Sequence, residues 1–161
     1  MNQVQVKTQE VRTSKFLTFQ LGHEQYGFGI DKVIEIIGMQ DITPVPRTPD
    51  YIRGVINLRG IIHPVIDLNQ KFGMGMTEET KETCIIVVTV DKDNQKEQMG
   101  IIVDAVSEVE DISKEDIEPA PDLGTEIDTK YIHGIAKSKG AVKMLLDLQN
   151  TLSNEELNMI S

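Results

Sequence analysis

The side chains that most often carry chemistry are few in this chain and widely spaced. His23, His63 and His133 each stand alone, with no second ligand at zinc spacing. The run Asp91-Lys92-Asp93-Asn94-Gln95-Lys96 begins like a calcium loop, but Lys96 occupies the position that needs glycine and Ile102 that of the bidentate glutamate. A solvated hairpin tip is the expectation there. Arg53-Gly54 and Arg59-Gly60 are too sparse to cradle a phosphate, and the sequence has no nucleophile elbow, P-loop or dinucleotide-binding glycine pattern. The single Cys84 lies in the apolar run Cys84-Ile85-Ile86-Val87-Val88, as a small core residue would, and can form no internal disulfide. No catalytic group, metal site or cofactor is expected, so the chain reads as a non-enzyme.

Interaction surface is what remains. The β-branched residues of Val33-Ile34-Glu35-Ile36-Ile37 favour a strand, with helix as the alternative, and Glu35 shares a face with Val33 and Ile37. Glu35 is then either a solvated residue on a barrel wall or a contact. Arg59, at a hairpin tip, is either a solvated turn residue or a contact. Their charges could pair, although nothing in the sequence brings the two together.

The elements that must position these residues are duplicated. The stretch YIRGVINLRGIIHPVIDL, from Tyr51 to Leu68, matches YIHGIAKSKGAVKMLLDL from Tyr131 at a constant offset of 80 residues. Each copy is an apolar run, a polar turn ending in Gly60 or Gly140, a second apolar run and a terminal Asp-Leu, which is the layout of a β-hairpin. Pro64 has no N–H for a ladder and argues for an edge or a bulge. A weaker repeat aligns Ile30 to Ile36 (IDKVIEI) with Val103 to Val109 (VDAVSEV), 73 residues on. Pro-rich segments, Ile42 to Pro49 and Glu118 to Pro121, occupy corresponding places as extended loops.

Residues 1–14 read as a flexible tail, with order beginning near Lys15. Leu17, Phe19 and Leu21 share a strand face, and Tyr26 to Ile30 returns as its hairpin partner. Asn69 to Gly73 suggests one helical turn, Asp91 to Gln98 a charged hairpin loop, and Ser153-Asn154-Glu155-Glu156 a capping box that opens a short C-terminal helix over 153–161. About five short β-segments per lobe, with Gly and Pro at the corners, imply two small closed or nearly closed barrels, intertwined over 15–153, with lobes at about 15–75 and 83–150.

With 161 residues and 39% apolar content the chain can bury a real core. Its formal charge of −10 would repel a phosphate backbone, which disfavours nucleic acid as a partner. No signal peptide or bilayer-spanning run is legible, and one lone cysteine agrees with a reducing cytoplasm.

The series Tyr26-Gly27, IDKVIEI, Pro49 to Gly60 (PDYIRGVINLRG), Pro64 to Leu68, Gly100 to Val109 (GIIVDAVSEV) and Ile117-Glu118-Pro119-Ala120-Pro121 resembles the CheW family of bacterial chemotaxis coupling proteins. The resemblance covers about residues 15–153 and implies an all-β fold of two SH3-like five-stranded barrels related by a pseudo-twofold. It implies a cytoplasmic adaptor, monomeric alone and without membrane insertion. Such an adaptor joins the cytoplasmic tip of chemoreceptors to the regulatory domain of the CheA histidine kinase in arrays at the inner face of the membrane. By position, the resemblance points to Val33, Glu35, Ile36, Gly54, Arg59, Gly100 and Val109 for the receptor, in a groove between the barrels. For the kinase it directs attention to barrel ends, with Thr43, Val45 and Arg47 in one loop and Ile117, Glu118 and Leu123 in another as candidates. Gly29 and Glu118 depart from residues common in the family, and Lys137-Ser138-Lys139-Gly140 lacks the Asn-x-Arg-Gly pattern of the first tip, so the lobes are expected to have different partners. An SH3-like binding module of another signalling system is the alternative, although an aromatic-lined groove is hard to build from 4% aromatic residues and no Trp.

Overall fold

A computed structural model describes residues 13–120 and 131–152. The strands are β1 (Thr13–Leu21), β2 (Glu24–Gly29), β3 (Val33–Gly38), β4 (Ile52–Leu58), β5 (Ile61–Asp67), β6 (Cys84–Lys92), β7 (Gln95–Val103), β8 (Ala105–Ser113), β9 (Ile117–Glu118), β10 (Ile132–Ser138) and β11 (Ala141–Leu146). Single 3-10 turns precede β3 and β9, and the one-turn helices α1 (Leu68–Lys71) and α2 (Leu148–Thr151) follow the repeated hairpins. Each helix is opened by the Asp of the repeated Asp-Leu pair. Asp67 accepts from the Gln70 N–H and Asp147 from the Asn150 N–H, the usual side-chain N-cap.

One sheet has the order β3-β6-β7-β5-β4 and the other β8-β1-β2-β11-β10-β9. The first ring closes where Thr43, beyond β3, bridges Val55 of β4. The second closes because β8 turns a corner at Lys114–Asp116 and continues as β9 against β10. Both sheets are therefore five-membered SH3-like rings in which one bent segment serves two edges, and closure leaves few free strand edges.

The sheets do not follow the chain halves drawn at 15–75 and 83–150. The hairpin β1-β2 leaves the first half to pair with β8 and, in parallel, with β11, while β6-β7 leaves the second half to pair with β3 and, in parallel, with β5. Each half thus lends its opening hairpin to the other half's barrel. The parallel joints match across the repeat, Leu145 opposite Gly27 and Val65 opposite Gly100.

This exchange explains the long apolar run in β6. Ile86, Val88 and Val90 face a large core shared by both sheets, together with Phe19, Tyr26, Phe28, Phe72 and Met99, while Ile85 and Val87 point into the first barrel with Ile56, Leu58 and Val65. A strand buried on both faces needs apolar residues at every position, and so has no period of two. The second barrel has a smaller apolar interior of Phe16, Ile112, Ala136 and Leu145.

Several boundaries move relative to expectation. Strand β1 begins at Thr13 and not at Lys15, because Thr13 and Ser14 already pair with Ser113 and Ile112. The charged hairpin is tighter than 91–98, since pairing runs out to Lys92 and Gln95. Asp93 and Asn94 both take positive φ there, 50° and 66°, the two-residue turn that suits a twisted ribbon. The helix expected over 153–161 lies outside the described residues.

Candidate interaction site on two hairpin tips

The tip of β4-β5 is a two-residue turn with Arg59 at φ 54° and Gly60 at φ 87°. The conformation expected of glycine is therefore shared by the arginine, at a cost of about 1–2 kcal/mol for an L-residue. Asn57 Oδ1 accepts from the Gly60 N–H at 2.8 Å and helps to hold the turn. So placed, Arg59 Nη2 reaches both carboxylate oxygens of Glu35, at 3.1 and 3.0 Å, and joins β3 to the tip. The pair that the sequence could not bring together is made. Its arginine is 71% exposed, so it contributes little to stability and presents an oriented charge to solvent.

The strands that carry the pair also expose apolar side chains. On β3 the bulge between Val33 and Glu35 is followed by alternation that leaves Ile34 and Ile36 exposed, and Ile61 and Ile62 are exposed beside the turn on β5. Ile34, Ile61 and Ile62 were not singled out from sequence, where nothing separates an exposed isoleucine from a core one. Val33 is half-buried and packs against the inter-sheet core. Val109 is exposed on β8, on the other sheet, at the repeat position of Ile36.

Two of the residues grouped with the receptor have local packing reasons of their own. A Cβ on Gly54 would lie 2.1 Å from the Thr43 carbonyl oxygen, and its φ is +140°, so glycine is required where the first barrel closes. A Cβ on Gly100 would lie 2.7 Å from Ile85 Cγ2, at the joint with β5. Thr43, a kinase-side candidate, is thus a direct neighbour of Gly54 through the bridge to Val55. Arg47 takes φ 64° in the Pro-rich loop, which the Thr48 hydroxyl steadies by donating to the Val45 carbonyl at 2.8 Å. Ile117 and Glu118 form β9 and line an open pocket of about 370 Å³ with Lys114, Pro119 and His133. Leu123 lies outside the described residues.

The second tip repeats the first. Lys139 (φ 54°) and Gly140 (φ 77°) make the same turn, and Lys139 Nζ pairs with Glu108 on β8. Lys139 corresponds to Arg59 and Glu108 to Glu35 at the two offsets of the repeat, a signal present in the aligned sequence. The bond to Glu108 raises the Lys139 pKa above the ordinary lysine value. Beneath this tip, Lys143 reaches both oxygens of Glu110 at 2.6 and 2.8 Å, and the Ser138 hydroxyl donates to Glu110 at 2.6 Å. Both charged side chains are buried, 7% and 2% exposed. Burial opposes ionisation of Glu110, but the bonds from Lys143 and Ser138 and the charge of Lys143 outweigh it and hold its carboxyl below the usual range.

Among the described residues no three His, Cys, Asp or Glu side chains gather as a metal site would require, and no helix is long and apolar enough to cross a membrane. What the arrangement offers is two cation–carboxylate pairs at hairpin turns, one of them on strands that also expose isoleucines.

Comparison with known proteins gives this arrangement its relatives. The CheW-like domain family matches residues 15–156. The chemotaxis protein CheW of Klebsiella aerogenes is 38% identical over 146 residues, covering 91% of this chain and 86% of that protein. The CheW of Bacillus subtilis is 33% identical, covering 92% and 93%. A crystal structure of the scaffolding protein TtCheW from Thermoanaerobacter tengcongensis superposes with a TM-score of 0.77 at 40% identity, over 89% of this chain and 90% of that one. With the match running through both barrels and both tips, the chain belongs to the CheW-like family of chemotaxis proteins.

Proposed function

We infer that this chain is a chemotaxis coupling adaptor, a non-enzymatic scaffold that joins chemoreceptors to a CheA-type histidine kinase. The observation that carries the reading is the oriented Glu35–Arg59 pair at a positive-φ turn, on strands that also expose Ile34, Ile36, Ile61 and Ile62. A charged pair on strands that expose apolar side chains suits an amphipathic helix, which lays its apolar face on the isoleucines while the charges fix its register. A receptor tip built of helices is such a ligand. Val33, Ile36 and Val109 are the apolar anchors of this reading, and Glu35 and Arg59 set orientation. The kinase regulatory domain is assigned to the barrel ends, at Thr43, Val45 and Arg47 and at Ile117 and Glu118. The protein works in the cytoplasm, recruited to receptor arrays at the inner face of the membrane.

The test is a titration of the full chain into an isolated kinase regulatory domain, followed by addition of a receptor hairpin-tip fragment to the same cell. Two independent saturable events are expected. Competition between the two ligands for one site would overturn the adaptor assignment.

A further inference from the structure

The duplicated pair has a second consequence. At the first tip Arg59 pairs with Glu35, whereas the second carries two lysines, Lys137 and Lys139, of which Lys139 pairs with Glu108, one cation more than the first on a chain of charge −10. The Lys137 side chain is exposed and has no partner among the described residues. Lys139 spends one of its three donors on a single Glu108 oxygen. Isoleucines do not surround this tip. Ser107 stands at the repeat position of Ile34 and half-buried Ala141 at that of Ile61, so apolar surface is reduced to Val109 and Val142.

We propose that the β10-β11 tip is a docking point in its own right, taking a carboxylate-bearing segment of the kinase regulatory domain. This rests on the adaptor reading above. Continuity on the fold supports it, since β10 carries the tip at one end and pairs with Ile117 and Glu118, the kinase-side candidates, through Ala136 and Ile135. The buried Glu110 acts as a positioning residue. Lys143 neutralises it, and its remaining acceptor capacity takes the Ser138 hydroxyl one residue before Lys139, which fixes the base of the tip. At the first tip Leu58 stands where Ser138 does and is simply packed in the apolar interior.

The full chain, K137E/K139E, K137R/K139R and E108Q would each be titrated with the isolated kinase regulatory domain and, separately, with a receptor hairpin-tip fragment, at two salt concentrations. K137E/K139E should weaken kinase-domain binding about tenfold or more, the arginine pair should restore it, and the receptor fragment should be held within about twofold. E108Q frees the cations and should tighten kinase-domain binding by about two- to threefold, a gain that loss of a purely structural ion pair would not produce. Added salt should narrow these differences, because both partners are solvent-exposed charges. Normal wild-type binding that neither K137E/K139E nor E108Q alters would overturn this inference while leaving the adaptor reading intact. Equal loss of both ligands in K137E/K139E would also overturn it. A wild-type chain that binds neither ligand would overturn both.

Discussion

The two barrels share a strand plan and a closing corner, yet their interiors are stabilised by different physics. In the first, Ile56, Leu58, Val65, Ile85, Val87 and Ile102 form a buried apolar cluster against which Ile37 packs, and the buried Asp67 pairs with Arg53 at the end of β5. In the second, the repeat positions of Ile37, Leu58 and His63 hold Glu110, Ser138 and Lys143, bonded to one another. An apolar interior tolerates changes of shape, whereas a buried pair tolerates only the loss of both partners or of neither. Duplication supplied one frame, and divergence left a bonded polar trio at these three positions of one barrel and Ile37, Leu58 and the buried His63 at those of the other.

The most forceful way to break this contrast is to unpair the second interior. Lys143→Met should destabilise the protein by about 3–5 kcal/mol in urea unfolding, because it strands a buried carboxylate, whereas Glu110→Leu with Lys143→Met should recover most of that loss. If the double variant were as unstable as the single one, packing around Lys143 and not charge would hold the second barrel.

The closing corners differ more quietly. Gly54→Ala must adopt φ +140° and push into the Thr43 carbonyl, for a loss of about 3 kcal/mol. Gly134→Ala meets Ile117 Cγ2 at 2.5 Å and the Glu118 carbonyl oxygen at 3.0 Å, but without a positive φ to adopt, and should cost about 1–2 kcal/mol. Thermal unfolding of the two variants side by side ranks them, and equal losses would mean that the second corner is as rigid as the first.

Acid sharpens the contrast further. The folded-state pKa of Glu110 is depressed, so its contribution to stability is fully present above the unfolded carboxylate value near pH 4 and is lost as pH falls through the folded value. Stability of the wild type should therefore fall more steeply below about pH 4 than that of the Glu110→Leu, Lys143→Met double variant. Parallel pH profiles would remove Glu110 from the account.

The smallest effect on stability belongs to the first tip. Arg59→Asp removes an exposed pair and should change unfolding free energy by no more than about 1 kcal/mol, while abolishing receptor-to-kinase coupling in a reconstituted assay. A large loss of stability would make Arg59 structural.

The strands and the tips were legible because each depends on local residue types, glycine in turns and β-branched runs, whereas Asp67 and Asp147 were read only as the ends of hairpins and prove to cap helices. The partner of each hairpin was not, because β1 meets β8 and β6 meets β3 through contacts that no local pattern encodes. Glu35 and Arg59 could be named but not joined for the same reason. The Glu110–Lys143 pair was missed because Glu110 sits in Glu108-Val109-Glu110-Asp111, which resembles any solvated edge strand, and only the repeat alignment places it opposite Ile37. Gly54 and Gly100 were named for function, and the structure gives both a steric reason.

The exchanged hairpins also decide when this protein can fold. Thr18 of β1 donates to the Glu108 carbonyl across 90 residues, and β2 waits for β11, far later in the chain. The first half cannot complete a sheet as it emerges, because its own opening hairpin belongs to a barrel not yet synthesised. High contact order of this kind slows folding and exposes apolar strands meanwhile. Assembly should therefore be a concerted event, with both barrels appearing together in a refolding experiment, and the chain is most open to chaperones until β11 has emerged.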